Sequence, residues 1–515
     1  MDRRIKHLVV LTLTLLTGIA VQAKDAAWAF DIGSTATVGS GTFAPFWLTA
    51  NRHGLVPTEP SSAYLRTAAR RGYKNEQGFD WECGADLSVG TFNTSLIGSP
   101  FIVQQLYAGI RYNCWQLTVG SREHASQAKN PLLTSGGMTW SGNARPIPQV
   151  RFGIYDYVPV SFLFNSWLQV KGFISYGRTT DDRFQRNFVI PSRYALYTQG
   201  ALFHEKSAFL RVGKQEVSPF SFELGVEMDC QFGGELWEHD TRLHQTETET
   251  MLFANPKHAA DYLKAFLPLN GGNDATVSDQ NNAAGNHFGS IHFVLNYEGT
   301  EWGIRAYYEH YFDGRTGMTP WNATYDMSGK YRAWIAYPWF DGLSGLEVKV
   351  PSNPFVSTIV LEYNTTRDQC GSIHHGPSST LPASIHGFAC YYYNSSYPSY
   401  QHFGMTAGSP LLYNPIYNAD NTIINTDTRI RAFHLGVSGS PAATLRYRLL
   451  GTFVRSWGSY NDPLPDPQNT FSALAELTWQ PAKFGGWEGI AALALDRSPR
   501  IGNNYGLQIG INKTF

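Results

Sequence analysis

Beyond residue 23 the sequence has no apolar run approaching the ~20 residues that a bilayer-spanning helix needs. Mean hydropathy is −0.26, and a helical membrane protein is excluded. Cysteine is scarce: Cys83, Cys114, Cys230, Cys370 and Cys390 are five, without a CxxC or a finger-like spacing. Neither a disulfide framework nor a zinc module follows from that pattern; Cys370 with Cys390, both in loop-like sequence, is the one pair to consider. An excess of charge is lacking too, since Lys+Arg 40 and Asp+Glu 41 leave a net charge of −1, which offers no electrostatic case for nucleic acid. Catalytic motifs are also missing, with no GxSxG elbow, HExxH helix, Walker loop or strand-borne GxGxxG.

What is present starts at the N-terminus. Arg3, Arg4 and Lys6 precede the apolar run LVVLTLTLLTGIA, which ends in the small-residue pattern Val21-Gln22-Ala23. This is the pattern of a cleaved secretory signal over residues 1–23, and no cysteine follows to suggest a lipoprotein. At the other end Tyr505, Leu507, Ile509 and Ile511 alternate with Gly506, Gln508, Gly510 and Asn512, and the last residue is Phe515. An exported chain closing on an alternating strand and an aromatic residue resembles the outer-membrane barrels of Gram-negative bacteria. In them the last strand carries the signal read by the barrel assembly machinery, which assigns that role to Phe515.

A barrel requires many segments of about ten residues that alternate weakly between turns. Sixteen such segments occur, at 63–73, 78–89, 102–112, 115–121, 166–178, 207–214, 220–232, 287–297, 301–312, 343–350, 355–365, 429–438, 444–457, 471–479, 487–495 and 505–515. In 220–232, Phe222, Leu224, Val226 and Met228 share one face; Glu223, Gly225, Glu227 and Asp229 share the other. Acidic residues so placed suit a wet lumen and not lipid. The segment 301–312 repeats the scheme with Trp302, Ile304, Ala306 and Tyr308 against Arg305, Tyr307 and Glu309. Alternation alone is equally compatible with a soluble sandwich. Aromatic residues at strand ends (Tyr73, Tyr107, Tyr112, Trp167, Trp479, Trp487) and short turns opposed to long insertions favour the membrane.

The long insertions fall at 122–165, 240–286 and 369–428. The second holds a candidate helix, 258–267, between Pro256 and Pro268. The third contains YYYNSSYPSYQ, a composition that reads first as a solvated loop and second as an adaptable polar binding surface. His374-His375 with His386 lack metal-ligand spacing. Asp181-Asp182 before Arg183 and Arg186 reads as charge compensation at a strand end, and His292, His310 and His434 as lumen or interface residues. No metal or cofactor is expected.

Five segments carry a family likeness: GTFAPFWLTANRHG (41–54), KNPLLTSGGMTWSGNARPIPQVRFG (129–153), SWLQVKGFISYG (166–177), TDDRF (180–184) and YPWFDGLSGLEV (337–348). Together they resemble the Wzi-type capsule assembly proteins, in the branch of Bacteroides-like bacteria, over nearly the whole exported chain. The resemblance implies an all-β, antiparallel transmembrane barrel of roughly 16 to 18 strands; its short helical and irregular insertions are candidates to plug the lumen. It implies a non-enzymatic, lectin-like role in attaching or assembling capsular polysaccharide, in contact with outer-membrane lipids. An N-terminal periplasmic helical bundle, found in enterobacterial members, is not evident: residues 24–61 offer one short helix candidate, 46–51. That segment is expected to be periplasmic or part of a plug, with the barrel over 62–515.

The resemblance assigns no glycan contacts, so chemistry must. Sugars are held by aromatic faces and by planar, multidentate polar groups, and Arg suits a carboxylate-bearing glycan. Trp47, Asn51 and Arg52 lie in one likeness segment; Trp140, Asn143, Arg145, Gln149 and Arg151 lie in another, stiffened by Pro146 and Pro148. Gly/Pro-rich polar stretches within barrels also form plugs, so these eight residues are candidates for lumen filling, for polysaccharide binding, or for both. Two rival functions stand beside the anchor: a porin-like saccharide or solute channel, and a hydrolase active at the rim.

Overall fold

The computed structural model describes residues 28–75, 77–160, 164–242, 248–281, 283–313, 318, 321–325, 331–335, 340–369, 374–376, 384–386 and 390–515. Eighteen strands close into one antiparallel barrel. In chain order they are β1 Trp28–Ser40, β2 Ser62–Arg71, β3 Phe79–Gly90, β4 Phe101–Tyr112, β5 Trp115–Ser121, β6 Gln149–Pro159, β7 Leu168–Arg178, β8 Leu202–Val212 and β9 Phe220–Phe232. The second half comprises β10 Asn286–Glu298, β11 Gly303–Asp313, β12 Gly342–Lys349, β13 Thr358–Thr365, β14 Ile430–Ala442, β15 Leu445–Gly458, β16 Pro463–Trp479, β17 Trp487–Arg497 and β18 Tyr505–Thr514. Each strand pairs with its neighbour in sequence, and β1 closes on β18 from Asp31↔Thr514 to Ser40↔Tyr505. The Phe515 backbone N–H extends the seam by donating to the Phe30 carbonyl, 2.9 Å away.

All sixteen expected strands are present. The two that were not foreseen, β1 and β6, lie in segments read as a periplasmic or plug piece (24–61) and as an insertion (122–165). Both readings are corrected by the pairings of β1 with β2 and of β6 with β5 and β7. The cause differs between them. In β1 the run GSTATVGS is made of small residues with little contrast between faces. In β6 the start follows directly on Ile147-Pro148, so the Gly/Pro-rich segment runs into the strand without a turn signal. Residues 1–23 lie outside the described residues, as does Cys370 of the considered cysteine pair.

Alternation sorts side chains as the barrel demands. Phe222 and Leu224 face out, whereas Glu223, Glu227 and Asp229 are almost wholly buried inside. Inward acids meet partners from adjacent strands: Arg211 lies 2.9 Å from Glu223, and His292 lies 3.0 Å from Glu227. The inward register keeps these charges off the lipid face, where they are unfavourable, and the partners offset the cost of burying a carboxylate inside the wall.

One rim carries tight turns, and Phe79, Tyr112, Trp115, Phe220, Trp302, Phe355 and Trp479 are exposed beside them, as an interfacial girdle would be. Tyr107, expected in the girdle, points inward and lies under the Arg122 guanidinium instead. All the long insertions leave the other rim. Outer-membrane barrels keep their short turns on the periplasmic side, so the insertion rim faces the cell exterior. There a three-stranded sheet of Tyr194–Gln199, Glu235–Asp240 and Thr248–Ala254 stands outside the barrel, with helices at Asp182–Val189 and Ala259–Phe266. The latter is the expected helix of the second insertion, and Phe46–Thr49 is that of the first segment.

Candidate functional site

Three insertions turn back into the lumen: 41–61, 122–148 and 390–429. The Tyr-rich part of the third was read first as solvated, and that reading is corrected. Tyr391, Tyr392, Tyr397 and Tyr400 are among the most deeply buried side chains, and Tyr391, Tyr392 and Tyr400 belong to one apolar cluster that also takes in Phe46, Trp47 and Trp140. Tyrosine suits this place because the ring fills volume while the hydroxyl finds a partner. The Tyr400 hydroxyl, with its one proton, sits between Asp229 on β9 and the Thr139 carbonyl, the latter at 2.8 Å. Tyr392 donates to the Met138 carbonyl at 2.5 Å and accepts from the Ser409 N–H at 2.9 Å. Burial pushes both hydroxyls well up, so they stay protonated and donate.

Asn143 joins all three insertions. Its Nδ2 donates to the Thr406 carbonyl and to Asn414 Oδ1, both at 2.8 Å, and its Oδ1 accepts from the Asn51 N–H at 3.4 Å. Asn51 adopts a left-handed φ of 54° at this crossing, a conformation that Asn tolerates better than most residues. The plug is bolted to the wall by barrel carboxylates. Glu362 on β13 accepts from Thr134 Oγ1 at 2.6 Å, the Ser135 N–H at 2.7 Å and Tyr307 at 2.5 Å. Glu309 on β11 accepts from the Met138 N–H at 3.0 Å and pairs with the buried Lys129 ammonium.

The eight candidate residues divide by position. Trp47 donates through Nε1 to Thr452 at 3.1 Å and packs its ring on His434 and Phe46; Arg52 pairs with Glu476 on β16. Trp140 is stacked on His124 at 4.4 Å, and Arg145 lies over Phe403 while donating to the Gly54 carbonyl at 3.1 Å. Trp47 and Trp140 are only 2% and 3% exposed, which leaves neither ring a free face for a sugar. Gln149 and Arg151 differ: both line a cavity of about 380 Å³ between the β3–β7 wall and residues 122–127.

The residues around that cavity are of mixed chemistry. Arg111, Arg122 and Arg151 face Glu82, Glu123 and Asp156, with Tyr73, Tyr155 and Phe173 supplying ring surface. Arg151 lies 3.7 Å over Phe173 and 2.8 Å from Glu205, yet its buried Nε has no partner. A neighbouring cavity of about 570 Å³, lined by Asp31, Arg66, Arg70, Trp487, Glu488 and Asn512 among others, shares Glu123 with the first. Both volumes are in the range of small-ligand pockets. Arg122, Glu123, Arg111 and Tyr155 escaped sequence reading because they lie on three different segments. The signal within reach was the inward register of Arg111 and Tyr155 on β4 and β6.

Electrostatics within the plug follow burial. Arg145 is pulled down to about 10 and remains charged at neutral pH. His124 is held well below the usual imidazole range by burial and then by Arg151, and burial also lowers His53 and His402. All three are neutral. Asp181 is not a strand-end counter-charge: it is fully buried and accepts from Gln401 Nε2 at 2.8 Å and from the Phe403 N–H at 3.1 Å, tying the outer helix region to the plug. Among the described residues Glu227, His292 and Glu309 bring potential metal-ligand atoms within 4.8 Å of one another. Lys129 already supplies the cation there.

Closed strand order, lipid-facing girdle and filled lumen together define an outer-membrane β-barrel with an internal plug. In comparison with solved structures the chain is similar to Wzi of Escherichia coli, an outer-membrane protein involved in group 1 capsule assembly and described as a carbohydrate-binding β-barrel. The match has a TM-score of 0.55 and 11% identity, covering 99% of this chain and 89% of that one; at that identity it establishes the fold. OccK8 of Pseudomonas aeruginosa matches with a TM-score of 0.44 and 8% identity over 95% and 97% of the two chains. OmpT of Vibrio cholerae, an outer-membrane protein, matches at 0.39 and 8% over 96% and 100%. No protein-family model and no curated protein matches the sequence.

Proposed function

We propose that this outer-membrane barrel is a non-enzymatic, lectin-like protein that binds surface polysaccharide and helps attach it as a capsule. The observation that carries the reading is the interlocked plug. Three insertions joined through Asn143 and bolted to Glu309 and Glu362 suit a rigid platform better than a conduit, and a stiff platform lowers the entropic cost of holding a flexible polymer. The shared fold with a carbohydrate-binding barrel supports it. Arg111, Arg122, Arg151, Tyr155 and Asp156 around the 380 Å³ cavity are the side chains assigned to a sugar unit, in preference to the buried Trp47 and Trp140; Tyr73 and Arg111 put this cavity toward the tight-turn end of the lumen, so a unit held there lies beneath the plug.

The hydrolase reading finds less support, because the strand histidines are committed. His434 contacts Thr452 Oγ1 and the Leu133 carbonyl at 2.7 Å each; His292 contacts Ser290 and Glu227; His310 contacts the Asp341 carbonyl. The deciding experiment compares a deletion strain with its parent for cell-attached against released capsule, and titrates the purified barrel with the parent's polysaccharide fragments. Loss of attachment together with saturable binding that Arg122→Ala weakens is the expected result. Unchanged attachment and no binding would remove the proposal.

A further inference from the structure

The lipid-facing wall of β13–β16 carries a feature that plug, cavity and capsule binding leave unused. At its exterior end four arginines gather around two aromatic rings. Arg367, Arg455 and Arg431 place their guanidinium carbons 4.4, 5.5 and 6.0 Å from the centroid of Trp457, and Arg429 lies 4.2 Å over Tyr460. Arg431 and Arg455 are direct cross-strand partners between β14 and β15. Like charges directly opposite on a sheet repel. Among the described residues no carboxylate comes within 4.0 Å of any of the four. Asp368 lies in the field of Arg367, Arg431 and Arg429 but beyond ion-pair distance. The buried Nε of Arg367 has no hydrogen-bond partner.

Beneath the cluster, on the same strands, runs an apolar groove of about 710 Å³ lined by Leu346, Leu361, Tyr363, Phe433, Leu435, Phe453 and Phe471. It exists because small residues interrupt the wall: Ser344 and Gly451 also line it, and a Cβ at Gly451 would meet nothing within 4 Å. In the register of β14 and β15, Arg431 and Arg455 lie two residues from Phe433 and Phe453, and those aromatic residues pair with each other. The charged cluster and the groove are therefore stacked along the membrane normal.

We infer that this wall binds an outer-leaflet lipid through its phosphorylated headgroup, with the arginines on the phosphate and an acyl chain in the groove. The charge pattern favours that occupant over a protein helix, because a phosphate neutralises the Arg431–Arg455 repulsion and Arg matches its geometry with paired donors. The depth order, cations at the exterior rim and apolar groove below, is that of a lipid standing in the leaflet. Binding here is independent of the polysaccharide.

The test uses the full-length barrel purified in an uncharged detergent, with lipid A, its dephosphorylated form and inorganic phosphate as probes, read by native mass spectrometry and thermal unfolding. Lipid A is expected to bind and raise Tm, with the dephosphorylated form weaker by on the order of tenfold, the equivalent of ~1.4 kcal/mol. The Arg431→Gln/Arg455→Gln variant should lose that preference. It should fold, since it relieves like-charge repulsion, and its Tm without lipid should equal or exceed wild type. Gly451→Leu, which fills the groove, should weaken lipid A while leaving inorganic phosphate unaffected. Equal binding of the two lipid A forms, an unaltered double variant, or inorganic phosphate binding as tightly as lipid A would each overturn the assignment.

Discussion

Replacing Asn143 with Leu tests whether the plug is one cooperative body. The side chains are similar in volume, so the change removes polar bonds without opening a large cavity. Two 2.8 Å bonds, to Thr406 and Asn414, and the longer one from Asn51 disappear. Asn414 Oδ1 keeps the Thr406 N–H at 3.0 Å, so its loss is partial, whereas the Thr406 carbonyl and the Asn51 N–H lose a partner inside the plug. At about 1 kcal/mol net per bond, plus part of the 1–3 kcal/mol for a buried group left unpaired, the plug is destabilised by ~2–4 kcal/mol. That multiplies the open population by a factor on the order of 30 to 700. Asn143 makes no bond to a barrel strand among those described, so heat-resistant barrel assembly should be unchanged. The assay is hydrogen exchange over the three insertions, with single-barrel conductance in planar bilayers alongside. Faster exchange in 41–61, 122–148 and 390–429 together, with openings appearing in a barrel that otherwise conducts poorly, is the expected result. Acceleration confined to the neighbours of residue 143 would refute the single-body reasoning.

Three further outcomes follow from the same contacts. Tyr400→Phe removes the hydroxyl shared by Asp229 and the Thr139 carbonyl, leaving two buried acceptors short, and should destabilise the plug by ~1–3 kcal/mol, more than Tyr397→Phe, which strands only the Gly233 carbonyl; exchange rates compare the two. Gly54→Ala forces a side chain onto a φ of +60° with its Cβ 2.8 Å from the Arg145 nitrogen. It should cost ~1–2 kcal/mol from the left-handed backbone alone, whereas Gly485→Ala, which meets nothing within 4 Å, serves as the neutral control. The plug should also loosen in acid. His124 has a folded pKa below its unfolded value, so its contribution is present above about pH 6.5 and is lost as pH falls and the unfolded segment takes up the proton. Asp341, raised to about 7 by burial, acts in the opposite sense, so the measurement compares wild type with His124→Gln between pH 7.5 and 5, and equal slopes would refute the assignment.

The barrel was legible because lipid on one side and polar surface on the other impose a period of two. The strand Phe220–Phe232 shows this most clearly, with Glu223, Glu227 and Asp229 on its inner face. Where both faces are built of small residues, as along β1, hydropathy carries no contrast and pairing alone defines the strand. The plug was legible in part. Two Gly/Pro-rich stretches, with Trp47, Asn51 and Arg52 in one and Trp140, Asn143 and Arg145 in the other, pointed to lumen filling. The Tyr-rich stretch did not, because Tyr, Ser and Asn are as common in solvated loops as in a core whose tyrosine hydroxyls have partners. What separates the two is the supply of acceptors, Asp229 on β9 and the Met138 and Thr139 carbonyls, and these lie more than a hundred residues away in the chain. The same holds for the cavity: no local pattern announces that Arg111, Arg122, Arg151 and Asp156 converge.

A barrel of eighteen strands encloses more space than inward side chains can fill, since width grows with strand number. Filling it with one long insertion would order many residues whose ends are close, and each added residue costs conformational entropy. Here the volume is divided among three insertions, each held by its own strands at both ends, so the wall fixes their approach before they meet. The contacts between them are chiefly polar and satisfied: Asn143 with Asn414, Tyr392 with Met138, Tyr400 with Thr139. Such a core tolerates substitution poorly, because removing one partner strands another buried group. It is also specific, since a shifted docking would unpair these groups together. That rigidity is what an exterior platform for a long, flexible polymer requires, and it leaves the outer loops as the adjustable part of recognition, with the plug as their fixed support.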